Sequence, residues 1–204
     1  MKGGDTQVQL INKKFLVYVF VSVVLLAVLA GGAYAAFSDK SEVKGVTISV
    51  GSADIKLLKE LFRGATDSNL ADSIQGPSFN SIGQTWTADF PLKVYNNATT
   101  PIALSSTAFY ETAHDPEELR SYIYVEPLDW ADNDGNGIVD PSELSSSYGK
   151  KTIVKWKTEG FDFGSMATGE IKGFVLRFST QNMPTSKQGA TGVFDFEISG
   201  VAVE

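Results

Sequence analysis

Apolar and polar residues alternate along most of the chain beyond residue 45, over short runs with the two-residue period of half-buried β-strands. The clearest run places Trp86, Phe90, Leu92 and Val94 on one face. Pro91 lies within this run, and its missing amide hydrogen predicts an edge position or a bulge. Clusters of Gly, Asn, Pro and Asp separate the runs, so the pattern predicts an all-β domain, a β-sandwich. Similar runs predict strands at residues 46–50, 55–57, 102–110, 122–125, 152–156, 171–178 and 193–203.

Helix signals are few beyond the N-terminal region. Residues 115–120 (D-P-E-E-L-R) combine a capping Asp, a Pro at the first helical position and two early acids, which predicts one short helix. Residues 56–63 fit either an extension of the second strand or a helical turn. Residues 143–148 have room for about one helical turn.

The N-terminal region carries an uncharged, mostly apolar run at residues 15–36, preceded by two lysines and ending in small residues. These are the parts of a secretory signal peptide, because a signal peptidase accepts only small side chains next to the cut. The sequence predicts a signal peptide at residues 1–35, with cleavage after Ala35 or Ala36. The 22 apolar residues also match the roughly 20 that span a bilayer, so a retained membrane anchor stays an alternative.

Charge and composition narrow the possible partners. Residues 1–35 hold three Lys and one Asp, a net charge of +2, so their removal from a chain of net charge −7 leaves 169 residues with a net charge of −9. A domain this acidic repels nucleic acid and anionic lipid surfaces. The chain has no cysteine, so an exported domain relies on its core, on a metal or on assembly instead of disulfides.

Catalytic motifs are missing from the sequence. His114 is the single histidine, and with no cysteine it cannot build the usual zinc hydrolase site, which needs two or three nitrogen or sulfur ligands. The sequence has no H-E-x-x-H, no G-x-S-x-G and no phosphate-binding glycine loop. We therefore predict that the protein is not an enzyme.

Residues 132–143 (D-N-D-G-N-G-I-V-D-P-S-E) match the calcium-loop pattern D-x-[DN]-x-[DN]-G-x5-E at every defined position. Alternating oxygen-bearing side chains converge on one point, Gly137 provides the sharp turn, and the final Glu supplies two oxygens. Without a cation, four carboxylates would crowd one short loop. The predicted calcium ligands are Asp132, Asp134, Asn136, Ile138 through its carbonyl, Asp140 directly or through water, and Glu143.

The flanks of this loop differ from those of a paired EF-hand. A strand-like segment with Pro127 precedes the loop, and only a turn of helix has room to follow it. We therefore expect an insertion at residues 129–148 of a β-domain, with calcium in a structural role and binding in the ~10⁻⁴–10⁻³ M range of extracellular modules. A turn that binds no ion is the alternative. Separately, Asn97-Ala98-Thr99 is an acceptor pattern for N-glycosylation.

Four segments resemble the TasA/camelysin family. Residues 32–39 (GAYAAFSD) and 46–57 (VTISVGSADIKL) are similar to its export signal, its "aFsD" start and its first strand, and residues 90–102 and 188–198 are similar to a strand ending in Asn and to the closing strand. The resemblance implies a jelly-roll-like β-sandwich. It also implies kinship with bacterial biofilm matrix fibres and archaeal bundling pilins.

Members of this family polymerise by donor-strand complementation, in which the new N-terminal segment of one subunit fills a gap in the sheet of its neighbour. The resemblance implies that role for residues 36–50, ahead of a sandwich domain at residues 51–204. The pattern agrees, since alternate residues can line one face of an added strand and its main chain can hydrogen-bond. The predicted polymerisation residues are Phe37, Val43, Val46, Ile48 and Val50.

The sequence therefore predicts a secreted structural subunit of a cell-surface filament, a pilus or a biofilm matrix fibre, that contacts copies of itself and a signal peptidase and meets the membrane only before cleavage. The family's proposed metalloprotease activity is not carried over, because the histidines are missing. An ordinary first strand within the chain, or a disordered tail, is the alternative for residues 36–50. The competing function is a membrane-anchored, calcium-stabilised surface adhesin or binding domain.

Overall fold

The computed structural model of the chain describes residues 41–43, 47–50, 54–187 and 189–203. The predicted signal peptide and its cleavage residues, Ala35 and Ala36, lie outside the described residues, as do Phe37 and Val46. The described ranges belong to one of the two units of the chain, Lys40–Glu204. Within those ranges, no helix has the length and hydropathy needed to cross a membrane.

Most of the described chain is β-structure, with a single α-helix, α1, at Ile153–Glu159. The strands are β1 (Ser41–Val43), β2 (Thr47–Val50), β3 (Ile55–Leu58), β4 (Leu70–Ala71), β5 (Ser73–Gln75), β6 (Phe79–Ile82), β7 (Trp86–Asn96), β8 (Ile102–Phe109), β9 (Ile123–Trp130), β10 (Leu144–Ser147), β11 (Lys151–Thr152), β12 (Phe161–Met166), β13 (Ile171–Thr180), β14 (Thr191–Gly192) and β15 (Asp195–Ala202).

The larger sheet has the strand order β10–β9–β13–β7–β3–β4 and is antiparallel throughout, with β11 added beside β9. Its centre is the long pairing of β7 with β13, from Trp86 opposite Thr180 to Tyr95 opposite Ile171. On its other side, β7 pairs with β3 only at its C-terminal end. Pro91 lies in the stretch of β7 that has one described strand neighbour, which agrees with the predicted edge position.

The second sheet has the order β12–β8–β15–β2–β5, and a small third sheet has the order β14–β1–β6. Most pairings in the second sheet are antiparallel. The exception is β2, which runs parallel to β15 on one side and antiparallel to β5 on the other. The strand of this sheet that comes first in the sequence, β2, therefore lies between two strands that come later.

The two principal sheets share one apolar core. In β8, buried Ile102, Leu104 and Ala108 alternate with exposed residues, as the period-two pattern predicts. Trp156 of α1 stacks on Phe196 of β15, with ring centroids 4.4 Å apart. The predicted all-β class is thus confirmed, with two principal sheets and one short helix.

One predicted strand is wrong. Only Thr152 of residues 152–156 belongs to a strand, β11, and residues 153–156 form the start of α1. Thr152 caps this helix by accepting a hydrogen bond from the Lys155 amide, and Gly160, with φ +64°, ends it. Ile153 and Trp156 are both buried, at the i, i+3 spacing of one helical face. A run of β-branched residues suggested a strand, but the cap and this packing favour the helix.

The short helix predicted at residues 115–120 is also corrected. Two separate 3-10 turns, Thr112–His114 and Leu119–Ser121, lie in this region. Glu118 has φ +58°, a left-handed conformation that interrupts any continuous helix. Asp115 is buried and accepts hydrogen bonds from the amides of Leu119 and Arg120, so it caps the second turn.

Two ambiguous segments take extended structure. Strand β3 continues the pattern of residues 56–63 only to Leu58, and a loop follows it. Residues 143–148 contain the end of a 3-10 turn, Pro141–Glu143, and then β10. The short strands β4, β5 and β6 were not predicted, because Ser, Asn, Gln and Asp make this region resemble a loop in sequence.

Candidate metal centre and N-terminal strand

The predicted calcium loop connects β9 to β10 at one edge of the larger sheet. Beneath it lies a small apolar cluster, separate from the main core, whose buried residues are Leu128, Trp130 and Val175. Val139, the eighth residue of the loop, packs against this cluster. The loop is therefore attached to the sheet through an apolar base, and its polar residues lie above that base.

Three carboxylates of the loop converge. One ligand oxygen each from Asp132, Asp134 and Glu143 can be chosen so that all lie within 4.8 Å of one another. The side chain of Asp132 is only 2% exposed. Its Oδ2 accepts hydrogen bonds from Lys93 Nζ at 2.6 Å and from the Gly137 amide at 3.0 Å. Its Oδ1 is buried and has no hydrogen-bond partner among the described residues.

Glu143 is held by donors on both oxygens. Trp130 Nε1 donates to Oε2 at 3.1 Å, and the Asn133 amide donates to Oε1 at 2.8 Å. The hydrogen bond from Trp130 lowers the pKa of Glu143 most, and the amides of the loop lower it further against the opposing effects of burial and the Asp132 charge. Glu143 is therefore held as a carboxylate facing the other acids.

Asp132 is likewise held ionised. Burial opposes the charge, but the hydrogen bonds from Lys93 and the Gly137 amide, together with the Lys93 charge, keep its pKa below the usual value. An ionised, buried carboxylate with one unpaired oxygen is costly unless a cation occupies that side. The donor set is made only of oxygens, which suits a hard divalent ion such as Ca²⁺.

The remaining predicted ligands lie on the outer side of the loop. Asn136 Oδ1 accepts a hydrogen bond from the Ile138 amide at 2.5 Å, and Asn136 Nδ2 donates to Asp134 at 2.6 Å. Ile138 is 66% exposed. Asp140 is exposed and lies outside the convergent group of described carboxylates, while its carbonyl accepts the Glu143 amide at 3.0 Å. The loop thus brings together three of its four acids.

A neighbouring loop, residues 59–69, packs directly against the calcium loop. A Cβ added to Gly137, which has φ +72°, would lie 2.7 Å from the Phe62 amide nitrogen. Lys93 Nζ also donates to the Leu61 carbonyl at 2.7 Å, so it connects the two loops. Buried Asn69 holds the neighbouring loop together by bonding to Glu60, Arg63 and Gly64 main-chain atoms.

Sequence reasoning did not identify Lys93 or Trp130 as parts of this centre. Lys93 lies 39 residues before Asp132, and no local pattern connects the two. Trp130 lies two positions before the loop, where a single aromatic residue suggests only a core position. Only the pairing of the strands brings these two side chains to the carboxylates.

The predicted polymerisation strand includes described residues. Ile48 of β2 is fully buried in the main core, and half-buried Val50 packs against the same core. Val43 belongs to β1, which pairs with β6 and β14. Residues 47–50 therefore pair within their own chain, as in the alternative of an ordinary first strand.

Two other residues that the sequence singles out are exposed. His114, the single histidine, lies in a 3-10 turn, where it is exposed. Asn97 is exposed after β7, and its Nδ2 donates to Asp54. Within the described ranges, the acids of the calcium loop are the convergent group suited to a metal.

Comparison with models of known protein families finds no match, and neither does comparison with curated proteins. The likeness to the TasA/camelysin family therefore rests on the sequence motifs alone.

Proposed function

We propose that the protein is the structural subunit of an extracellular filament, assembled when the N-terminal strand of one copy is replaced by that of its neighbour. The observation that carries this proposal is the position of β2, which lies between β15 and β5 although it is the first strand of its sheet in sequence. Withdrawing an N-terminal segment needs no threading of the chain. The gap that it leaves is flanked by a strand edge on each side.

The gap would favour a strand of the same sequence. Ile48 is fully buried, and burial of one Ile side chain contributes about 1.5–3 kcal/mol. Main-chain hydrogen bonds to β15 and β5 add about 1 kcal/mol each. A neighbour's copy of the segment supplies the same contacts at the same positions, so exchange is nearly neutral in contact energy and links the subunits.

The motifs shared with biofilm fibres and pilins support the same function, and with it a jelly-roll-like arrangement of the strands. Export through a cleaved signal peptide at residues 1–35 would free the segment that begins near Ala36 only outside the cytoplasm. Processing and assembly are then one event. In this proposal the protein is not an enzyme, and its partners are its own copies and a signal peptidase.

We also propose that the subunit holds a structural calcium ion. Asp132, Asp134 and Glu143 would bind it, with Asn136, Asp140 and the Ile138 carbonyl completing the shell in the pattern of the sequence motif. The unpaired, buried Oδ1 of Asp132 supports this assignment. The ion would offset part of the negative charge of the loop and fix the loop on its apolar base; it takes no part in a reaction.

The melting temperature tests the calcium site. Millimolar calcium is expected to raise it relative to chelator, because the ion binds the folded loop and not the unfolded chain. The Glu143→Gln variant should lose most of this shift, while Glu159→Gln in α1 should keep it. An equal melting temperature in calcium and in chelator for the unaltered protein would contradict the site.

The filament is tested on protein taken from cell surfaces. We expect electron microscopy to show filaments, and sequencing of the high-molecular-weight material to give a start at Ala36 or Phe37. The anchored adhesin is the competing function, and the calcium centre fits it equally well. An intact Met1 in the membrane fraction, with no filaments, would favour the anchored domain.

A further inference from the structure

Lys93 provides an ammonium group at the candidate calcium centre. Its side chain is 13% exposed, and its Nζ lies 2.6 Å from Asp132 Oδ2 and 2.7 Å from the Leu61 carbonyl oxygen. The same Nζ lies 5.0 Å from the centroid of the Trp130 ring, which also faces it as a cation–π partner. This ammonium is therefore fixed in place by three groups of different kinds.

The two oxygens of Asp132 have different surroundings. Oδ2 is used by Lys93 and by the Gly137 amide, whereas Oδ1 is buried with no hydrogen-bond partner in the described part of the chain. A calcium ion bound at Oδ1 would share one carboxylate with the ammonium. Two positive charges on one carboxylate repel each other, and at an enclosed site the solvent screens this repulsion weakly.

We propose that Lys93 is a built-in counter-cation that sets the calcium affinity of the loop. The inference rests on the proposed calcium site. Without calcium, Lys93 neutralises Asp132 and holds the loop near its binding shape. With calcium, the same charge opposes the ion and lowers its affinity, so that the site fills only at high calcium concentrations such as those outside cells.

Lys93 also determines how the loop is held to its neighbour. The hydrogen bond to the Leu61 carbonyl joins the calcium loop to residues 59–69 whether or not an ion is present. Part of the stability that calcium gives to an ordinary loop is thus already present in the ion-free protein. The calcium-dependent gain in stability is correspondingly small while Lys93 is in place.

Calorimetric titration with calcium tests this role. Lys93→Met keeps most of the aliphatic stem and removes the charge, and the Gly137 amide still holds Asp132 Oδ2. We expect Lys93→Met to bind calcium about tenfold more tightly, which corresponds to about 1.4 kcal/mol. It should also melt lower in chelator and show a larger calcium-dependent rise in melting temperature.

Two further variants serve as controls. Lys93→Arg keeps the charge and should retain an affinity close to that of the unaltered protein. Lys172→Met removes a comparable half-buried lysine of the same sheet, whose Nζ donates to the Phe163 carbonyl at 2.8 Å, and should leave calcium affinity unchanged. Equal or weaker calcium binding by Lys93→Met would overturn the proposal.

The outcomes separate this inference from the proposals on which it rests. If none of the proteins binds calcium, the calcium site and the role of Lys93 both fail, while filament assembly is untouched. If the unaltered protein and Lys93→Met bind equally, only the role of Lys93 fails. If Lys93→Met and Lys93→Gln both unfold in chelator, they are then compared in saturating calcium. Folding in calcium supports the proposal, because calcium replaces the lost positive charge. Failure to fold in calcium overturns it.

Discussion

At the scale of single residues, the described buried acids have specific partners. Asp115 accepts hydrogen bonds from two main-chain amides and from the Arg120 guanidinium, whose Nη1 lies 2.9 Å from Asp115 Oδ2. Asp132 accepts hydrogen bonds from Lys93 Nζ and from the Gly137 amide on Oδ2, whereas its Oδ1 accepts none from the described residues. The first arrangement completes a turn by itself, whereas the second leaves one oxygen for a cation.

The titration of Tyr148 gives a residue-scale prediction at alkaline pH. Burial, then the charge of Asp129 and the hydrogen bond to it, raises the pKa of Tyr148 to about 12 from its usual 10.0. The folded state holds this proton more tightly than the unfolded chain. Its contribution to stability is therefore complete below about pH 10 and is lost as the pH rises toward about 12.

Urea denaturation at several alkaline pH values measures this effect. Tyr148→Phe keeps the ring that packs against Phe163 and Phe174 but has no phenol to ionise. Its free energy of unfolding should fall less steeply between pH 10 and 12 than that of the unaltered protein. Parallel curves for the two proteins over this range would contradict the prediction.

At the same scale, the sequence predicts the ligands of the metal centre better than their environment. The spacing of the acids at residues 132–143 is a local pattern, and three of them converge in the fold. The partners of these acids, Lys93 and Trp130, carry no such pattern. Lys93 reaches Asp132 only because β7 and β9 both pair with β13, which is a property of the sheet.

At the scale of elements, long strands are predictable and short ones are not. Strands β7, β8 and β15 are eight residues or longer and alternate over most of their length, enough to exceed chance, whereas β13 is predictable as a nearly continuous buried apolar run. The start of helix α1 resembles a strand in sequence, since over five residues its β-branched composition outweighs a single capping Thr. Its identity depends on Trp156 reaching Phe196, a contact that no local pattern contains.

The close approach of the calcium loop to residues 59–69 gives an element-scale prediction. Gly135 and Gly137 both have a positive φ, +70° and +72°. A Cβ added at Gly135 would meet no atom within 4 Å, whereas a Cβ added at Gly137 would clash with main-chain atoms of Phe62 and Leu61. Each Ala variant has the left-handed backbone cost of about 1–2 kcal/mol. Gly137→Ala should lose at least about 1 kcal/mol more, because overpacking adds to that cost.

Denaturation of both variants in chelator separates the two costs. The difference between Gly137→Ala and Gly135→Ala in the free energy of unfolding reports the contact between the loops. If the two variants lose the same free energy, the loops do not pack together as described.

At the scale of the whole molecule, the two principal sheets of the described residues share one core, and β2 completes the second of them. Most of the second sheet consists of strands whose neighbours are antiparallel, yet β2 runs parallel to β15. Alternation in the sequence gives the all-β class and the buried face of β2. It does not tell which copy of the chain supplies that strand, since the contacts of Ile48 are the same in either case.

The cysteine-free chain allows the central claim, exchange of β2 between copies, to be measured directly. Ser49 of β2 lies opposite Ser73 of β5 in the antiparallel register. Ser49→Cys and Ser73→Cys are small changes that place two thiols at this pairing. The two single variants are mixed before assembly, the filaments are oxidised, and the products are separated by size without reductant. Ser105→Cys, exposed on β8, replaces Ser73→Cys in the control mixture.

If the strand is exchanged, the mixture of Ser49→Cys and Ser73→Cys gives a disulfide-linked dimer that contains one chain of each variant, and the Ser105→Cys mixture does not. A double variant, Ser49→Cys with Ser73→Cys, should then form ladders of linked subunits. The claim is contradicted if the double variant forms only a link within each chain and the mixed single variants form no mixed dimer.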